Sequence, residues 1–292
     1  MDPMSLSSLK PDAAASGTFT IGGDLTVRRM GFGAMRITGE GIWGDPKDRE
    51  GAKQLLRRTL QLGVNFIDTA DSYGPEVSEI LIAEALYPYP KDLLIATKGG
   101  LTRSGPHQWG AVGRPEYLRQ CVELSLRRLR LERIDLYQLH RIDGKVPVEE
   151  SLGALKDLRQ EGKTRHIGLS EVTVEEIERA QKTVPIVSVQ NRYNIGDREH
   201  EEVVTWCGKH GVAFISWYPI AAGELTKPEG KLAQAAKRHG ATVGQLALAW
   251  LLHRSPVMLP IPGTSSIAHL EENVAAASVR LSPAEWQEIE KA

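Results

Sequence analysis

The chain has 292 residues, 41% hydrophobic and 25% charged, and its 36 basic residues are matched by 37 acidic ones for a formal net charge of -1. That balance, without any Lys/Arg block, argues against a nucleic-acid partner. No run of about 18 or more apolar residues occurs, so no membrane span is expected and the cytoplasm is the expected compartment.

Residues 1–16 read as a flexible tail with no apolar core long enough for a signal peptide, and with Met4 as the natural start. The rest, 17–292, reads as one domain. Gly22-Gly23-Asp24 joins two short strands, a strong hairpin signal. A further short strand follows at 30–33. From there helices and strands alternate. A helix over 47–62 leads to the strand beginning at Asn65, and one over 77–86 leads to "LLIATK", ending at Lys98. A helix over 115–129 leads to "IDLYQLH", ending at His140, and one over 148–161 to "TRHIGLS", ending at Ser170. Helices over 174–182 and 201–210 precede "IVSVQN" and "VAFISWYP". Helical segments over 231–238 and 243–254 precede "VMLPI", and helices over 267–276 and 283–291 close the chain. The two cysteines, Cys121 and Cys207, lie outside any C-x-x-C and read as small reduced thiols.

Strands bounded by helices throughout mean βαβ units and a parallel sheet. Eight such strands without a linker predict an α/β fold, a single (β/α)8 TIM barrel. No G-x-G-x-x-G follows the first strand, which argues against an open dinucleotide-binding sheet. In a barrel, chemistry belongs where strands end and βα loops begin.

Asp68, Lys98 and His140 end three consecutive strands at that face, with Tyr73 one short loop beyond Asp68. Taken singly, each has an ordinary reading as a wall or surface residue. Together they suit proton donation to a carbonyl oxygen. A phenol is a weak acid at neutral pH, and a nearby ammonium is expected to lower its pKa. The aspartate would hold the lysine charged, and the histidine would donate to the substrate oxygen. No nucleophile–base pair is present, so any hydride must come from a bound cofactor.

The stretches "IDTADSYG", "LLIATKGG", "IDLYQLH", "HIGLS", "VQNRYN" and "IPGTSSIAHLEEN" resemble the aldo-keto reductase superfamily in order and spacing, from about Thr18 to Ser282. The resemblance implies an N-terminal β-hairpin capping the bottom of the barrel and NADPH lying across the top, with NADH as the alternative. It implies that Tyr73 is the proton donor and that Asp68, Lys98 and His140 complete a catalytic tetrad. It implies that Ser170 and Gln190, beside Asn191, hydrogen-bond the nicotinamide carboxamide and that Trp217 stacks on its ring. Further cofactor contacts are implied at Gly33, Ala34, Met35, Tyr218, Pro219, Ile220, Glu272 and Asn273. "GTSS", Gly263, Thr264, Ser265 and Ser266, precedes a helix whose N-terminus suits a phosphate, the plainer reading being an N-cap. Two departures stand out. Glu171 follows Ser170 where many members have Asn. Gly263 and His269 stand where many NADPH-selective members carry Lys and Arg.

The substrate mouth is expected at the loop after the first barrel strand, with Trp43. A sixteen-residue irregular loop after the third would add Arg103, His107 and Trp109. Aromatic walls suggest a planar or partly apolar aldehyde or ketone. No long C-terminal lid is expected after the last helix, and so an open site is expected. "EALYPY", "HIGLSEVT" and "LAWLLHRSP" also resemble bacterial members assigned to pyridoxal reduction. Alternatives from other classes are a cofactor-binding regulatory or sensor subunit and a metal-dependent hydrolase. The latter has no H-x-H here and no metal is expected. No heptad pattern or apolar stripe signals association, so a monomer or weak homo-oligomer is expected.

Overall fold

The run Leu94–Gly99 is buried at every position, as a parallel strand covered on both faces must be. The computed structural model describes residues 10–221 and 231–290, and places that run in the middle of a parallel sheet. Two antiparallel strands come first, β1 (Thr18–Ile21) and β2 (Leu25–Arg28). The repeat then runs β3 (Phe32–Gly33), α1 (Arg49–Gln61), β4 (Phe66–Asp68), α2 (Val77–Leu86) and β5 (Leu94–Gly99). A short hairpin, β6 (Leu101–Gly105) and β7 (Gln108–Ala111), intervenes before α3 (Pro115–Leu129). The alternation resumes with β8 (Ile134–Leu139), α4 (Val148–Gln160), β9 (Thr164–Ser170), α5 (Val174–Gln181) and β10 (Ile186–Arg192). It ends with α6 (Glu201–His210), β11 (Ala213–Trp217), α7 (Lys231–Arg238), α8 (Val243–Arg254), β12 (Met258–Pro260), α9 (Ile267–Ala275) and α10 (Pro283–Glu290).

The eight-stranded sheet has the order β12-β11-β10-β9-β8-β5-β4-β3. Its two edges meet. Gly31 N–H donates to the Pro260 carbonyl at 3.0 Å and Gly33 N–H to the Pro262 carbonyl at 3.4 Å, closing a (β/α)8 barrel. At this seam the backbones run very close, since a Cβ on Gly263 would stand 2.7 Å from the Gly33 carbonyl oxygen.

Helix starts are set locally. Thr173 and Glu176 form a capping box on α5, and Thr242 and Gln245 form one on α8. Asp48 caps α1 by accepting from Gly51 N–H. The helices bury their apolar faces against the outside of the sheet in one large cluster. A second cluster fills the barrel interior, and the β1–β2 hairpin contributes Ile21 and Val27 to it, both fully buried beside Phe66, Leu94 and Leu136. Each such burial stabilises by about 1.5–3 kcal/mol. The hairpin thus plugs the end of the barrel where strands begin, leaving the opposite mouth to the βα loops.

Two segments differ from the sequence expectation. Residues 1–9 of the expected tail lie outside the described residues. Ala13–Ser16, by contrast, form a short 3-10 turn capped by Asp12, and the buried Ala13 donates to the Leu62 carbonyl. The segment after β5, expected as an irregular loop, is the β6–β7 hairpin with an adjoining turn. No helix among the described residues is long and apolar enough to cross a membrane.

Candidate active site

The parallel register sets Gly33 beside Asp68, Lys98 beside Gln138, and Ser170 beside Gln190 at the C-terminal ends of their strands. Asp68 is the hub. Its Oδ1 accepts from Lys98 Nζ at 2.5 Å, and its Oδ2 accepts from Gln138 Nε2 at 3.1 Å and Gln190 Nε2 at 2.8 Å. Lys98 also donates to the Thr69 carbonyl at 2.9 Å. The two charged side chains are 0% and 2% exposed. Burial pulls the Lys98 ammonium below its usual pKa, and Asp68 opposes that pull.

Lys98 Nζ lies 5.2 Å from the centre of the Tyr73 ring. Tyr73 packs edge-on to His140 at 5.8 Å and to Trp109 at 6.4 Å. The sequence argument expected the ammonium to lower the Tyr73 pKa. The structure reverses the direction: burial is the largest influence and raises it, Asp68 and Asp71 raise it further, and Arg141 pulls the other way. The phenol therefore holds its proton throughout the ordinary pH range. His140 is shifted well downward by burial and by the cations Lys98, Arg141 and Arg103, so its ring is neutral. Ser72 Oγ lies 3.3 Å from His140 Nδ1.

A cavity of about 560 Å³ opens above this group. Of the residues expected from the sequence, Asp68, Tyr73, His140, Gly33, Met35, Ser170, Gln190, Trp217, Tyr218, Pro219, Ile220, Gly263 and Trp109 line it. Arg36, Ile42, Leu101, Ala111, Arg141 and Ile261 complete the wall. Lys98 sits behind the wall, in contact with Asp68 and below the Tyr73 ring. Ala34 is buried, its carbonyl accepting from Ser78 Oγ.

The remaining expected residues stand apart. Trp43 is 36% exposed and does not line the cavity; the Arg103 guanidinium stands 5.6 Å from its ring centre. Asn191 is buried and spent on both backbone groups of Val172. Thr264, Ser265, His269, Glu272 and Asn273 do not line the cavity. Ser266 caps α9, accepting from His269 N–H at 3.5 Å, and Thr264 Oγ1 accepts from Ser266 N–H at 3.0 Å. Glu272 accepts from Thr242 Oγ1 at 2.6 Å. The absence of a lysine at 263 has a physical reason, because the barrel seam leaves no room there for a Cβ.

Glu171 also has an occupation that spacing could not reveal. Its Oε1 accepts from Trp217 Nε1 at 2.6 Å and from Arg192 N–H at 2.7 Å, and its backbone takes a left-handed φ of 56°. It braces the Trp217 indole that forms one wall. Arg103 braces the opposite side. Its guanidinium stacks 3.6 Å from the centre of Trp109 and donates to the carbonyls of Gly41, Ile42, Ser72, Gly105 and Gln108. Three separate loops are thereby tied at the mouth. Arg141 was not singled out by sequence. The signal available was a second cation directly after a strand-end histidine.

Residues 29–292 match the aldo/keto reductase family. The chain is 55% identical over 271 residues to an uncharacterized oxidoreductase of Schizosaccharomyces pombe (strain 972 / ATCC 24843), covering 93% of this chain and 88% of that one. It is 43% identical over 274 residues to pyridoxine 4-dehydrogenase of Escherichia coli (strain K12), covering 92% and 95%. Its fold is similar to the crystal structure of an aldo-keto reductase from Klebsiella pneumoniae in complex with NADPH, with a TM-score of 0.80, 27% identity and 94% of each chain covered.

Proposed function

The chain belongs to the aldo/keto reductase family, and from that premise we propose that it reduces small aldehydes or ketones to alcohols with NADPH. The observation that carries this reading is Tyr73 and His140 packed edge to face in the cavity wall, with a buried lysine–aspartate pair behind them; burial favours the protonated phenol and the neutral imidazole.

The cavity suits a flat, amide-bearing ring. Ser170 and Gln190 offer hydroxyl and amide groups, and Trp217 offers an aromatic face held by Glu171. Bound NADPH would supply the hydride to the carbonyl carbon. Tyr73 hands its proton to the carbonyl oxygen as negative charge develops there. Lys98 then stabilises the phenolate left behind. His140 is neutral, so one ring nitrogen carries hydrogen. In the tautomer where Nδ1 accepts from Ser72 Oγ, the Nε2–H is left to hold the substrate oxygen in line with the phenol.

The name of the Escherichia coli relative supports one particular substrate, because oxidising pyridoxine at its 4-position gives pyridoxal. Pyridoxal therefore heads the substrate panel. Tyr73→Phe is expected to lower turnover by about 10²-fold or more, while NADPH affinity by fluorescence titration changes little. Turnover in Y73F equal to the parent would overthrow the assigned proton donor.

A further inference from the structure

Arg141 is the one half-buried guanidinium among the described residues that lines the cavity beside Tyr73 and His140. Its Nη1 donates to its own neighbour's carbonyl, His140 O, at 2.6 Å and to Ser170 Oγ at 2.9 Å. Both acceptors are neutral. Among the described residues no carboxylate pairs with it. The nearest acidic influence is Glu171, but that carboxylate is engaged by the Trp217 indole, by Arg192 N–H and, at 3.9 Å, by His200 Nε2.

The other acid at the wall, Asp68, is likewise committed, to Lys98, Gln138 and Gln190. Buried cations in proteins are ordinarily paired, because removing a charge from water is costly without a partner. A guanidinium carries five donors in a fork suited to paired oxygens. Here only Nη1 has partners among the described residues, which leaves the rest of the fork for a ligand.

We infer that Arg141 is a specificity residue for carbonyl substrates carrying an anionic oxygen group close to the reacting carbonyl, either a carboxylate or an ionised phenol. The anion docks on Arg141 while the carbonyl oxygen sits between Tyr73 and His140. The inference rests on the reductase reading and narrows it from carbonyl compounds in general to acidic ones.

Matched substrate pairs test it. Succinic semialdehyde against butanal isolates a carboxylate, and 3-hydroxypyridine-4-carbaldehyde against pyridine-4-carbaldehyde isolates the ring hydroxyl. With saturating NADPH, the parent enzyme is expected to favour the anionic member of at least one pair by about tenfold or more in kcat/KM. The pair that shows the preference identifies the anion. Arg141→Met should reduce that ratio by about tenfold, chiefly through KM, and Arg141→Lys should keep part of it. Rising salt should erode the parent's preference.

A parent that reduces the neutral aldehydes with no preference for their acidic partners overturns the subsite and leaves the reductase reading intact. A parent that reduces none of the four overturns both. Equal losses for both members of a pair in R141M, or a loss of NADPH affinity alone, would assign Arg141 to positioning or to the cofactor and overturn the proposal. The parent's own preference and its salt dependence decide the matter should R141M fail to fold.

Discussion

Replacing Asp68 with Asn removes a charge while keeping a side chain of nearly the same shape. The Lys98 ammonium would then be left 0% exposed, with only the Thr69 carbonyl and a neutral amide for company. Breaking a buried pair by removing one partner costs about 3–5 kcal/mol. D68N should therefore lose that much stability in urea unfolding at pH 7. The double variant D68N/K98M removes both charges and should recover most of it, giving a coupling energy of about 2 kcal/mol or more. The deficit should also depend on pH. Burial already lowers the Lys98 pKa. Without Asp68 it falls further below the unfolded value of about 10.4, so the unfolded chain binds more protons. Stability then rises with pH, and the D68N deficit shrinks towards pH 10. A D68N loss below about 1 kcal/mol, or strictly additive losses in the double variant, would refute the view that the pair is a buried ionic unit.

Asp71 lies beneath the same site, its Oδ1 buried without a hydrogen-bond partner and its carboxyl pushed up to about 7 by burial and by Glu79. The folded chain then holds a proton that the unfolded chain releases, so stability falls as pH rises from about 4 to 7. D71N should remove this slope, gaining up to about 4 kcal/mol over the parent at pH 8 and little at pH 4. Parallel pH profiles in urea unfolding would contradict the assignment. Glu171→Ala should free the Trp217 indole and weaken NADPH binding about fivefold by loss of preorganisation, whereas Glu171→Gln, which keeps an acceptor, should weaken it far less. Fluorescence titration of both variants checks this, and equal effects would remove the indole contact from the explanation.

The barrel was legible because strand and helix periods alternate cleanly and because fully buried parallel strands read as apolar runs such as "LLIATK". Asp68, Lys98 and His140 stood out for the same reason: a polar residue ending an apolar strand breaks the run at the face where loops begin. The β6–β7 hairpin was not legible. Its turn places His107 at a φ of 58°, without the Asn-Gly or Gly-Gly pair that marks such turns, and its strands are mostly polar. The direction of the Tyr73 shift was missed because spacing reveals which charges are present but not how completely water is excluded. Glu171 and Trp217, 46 residues apart, meet only once β9 and β11 flank β10.

Every hydrogen bond that Arg103 makes at the mouth goes to a backbone carbonyl. A peptide oxygen is the same whatever side chain its residue bears. The scaffolding of the entrance is thus decoupled from its upholstery: side chains such as Ile42 can be exchanged, altering what the entrance admits, while the carbonyls they hang from stay on the same anchor. A length change in any one of the three tethered segments is the costlier event, because it would pull the anchor from the other two as well. Diversification of this entrance should accordingly proceed by replacement and not by insertion.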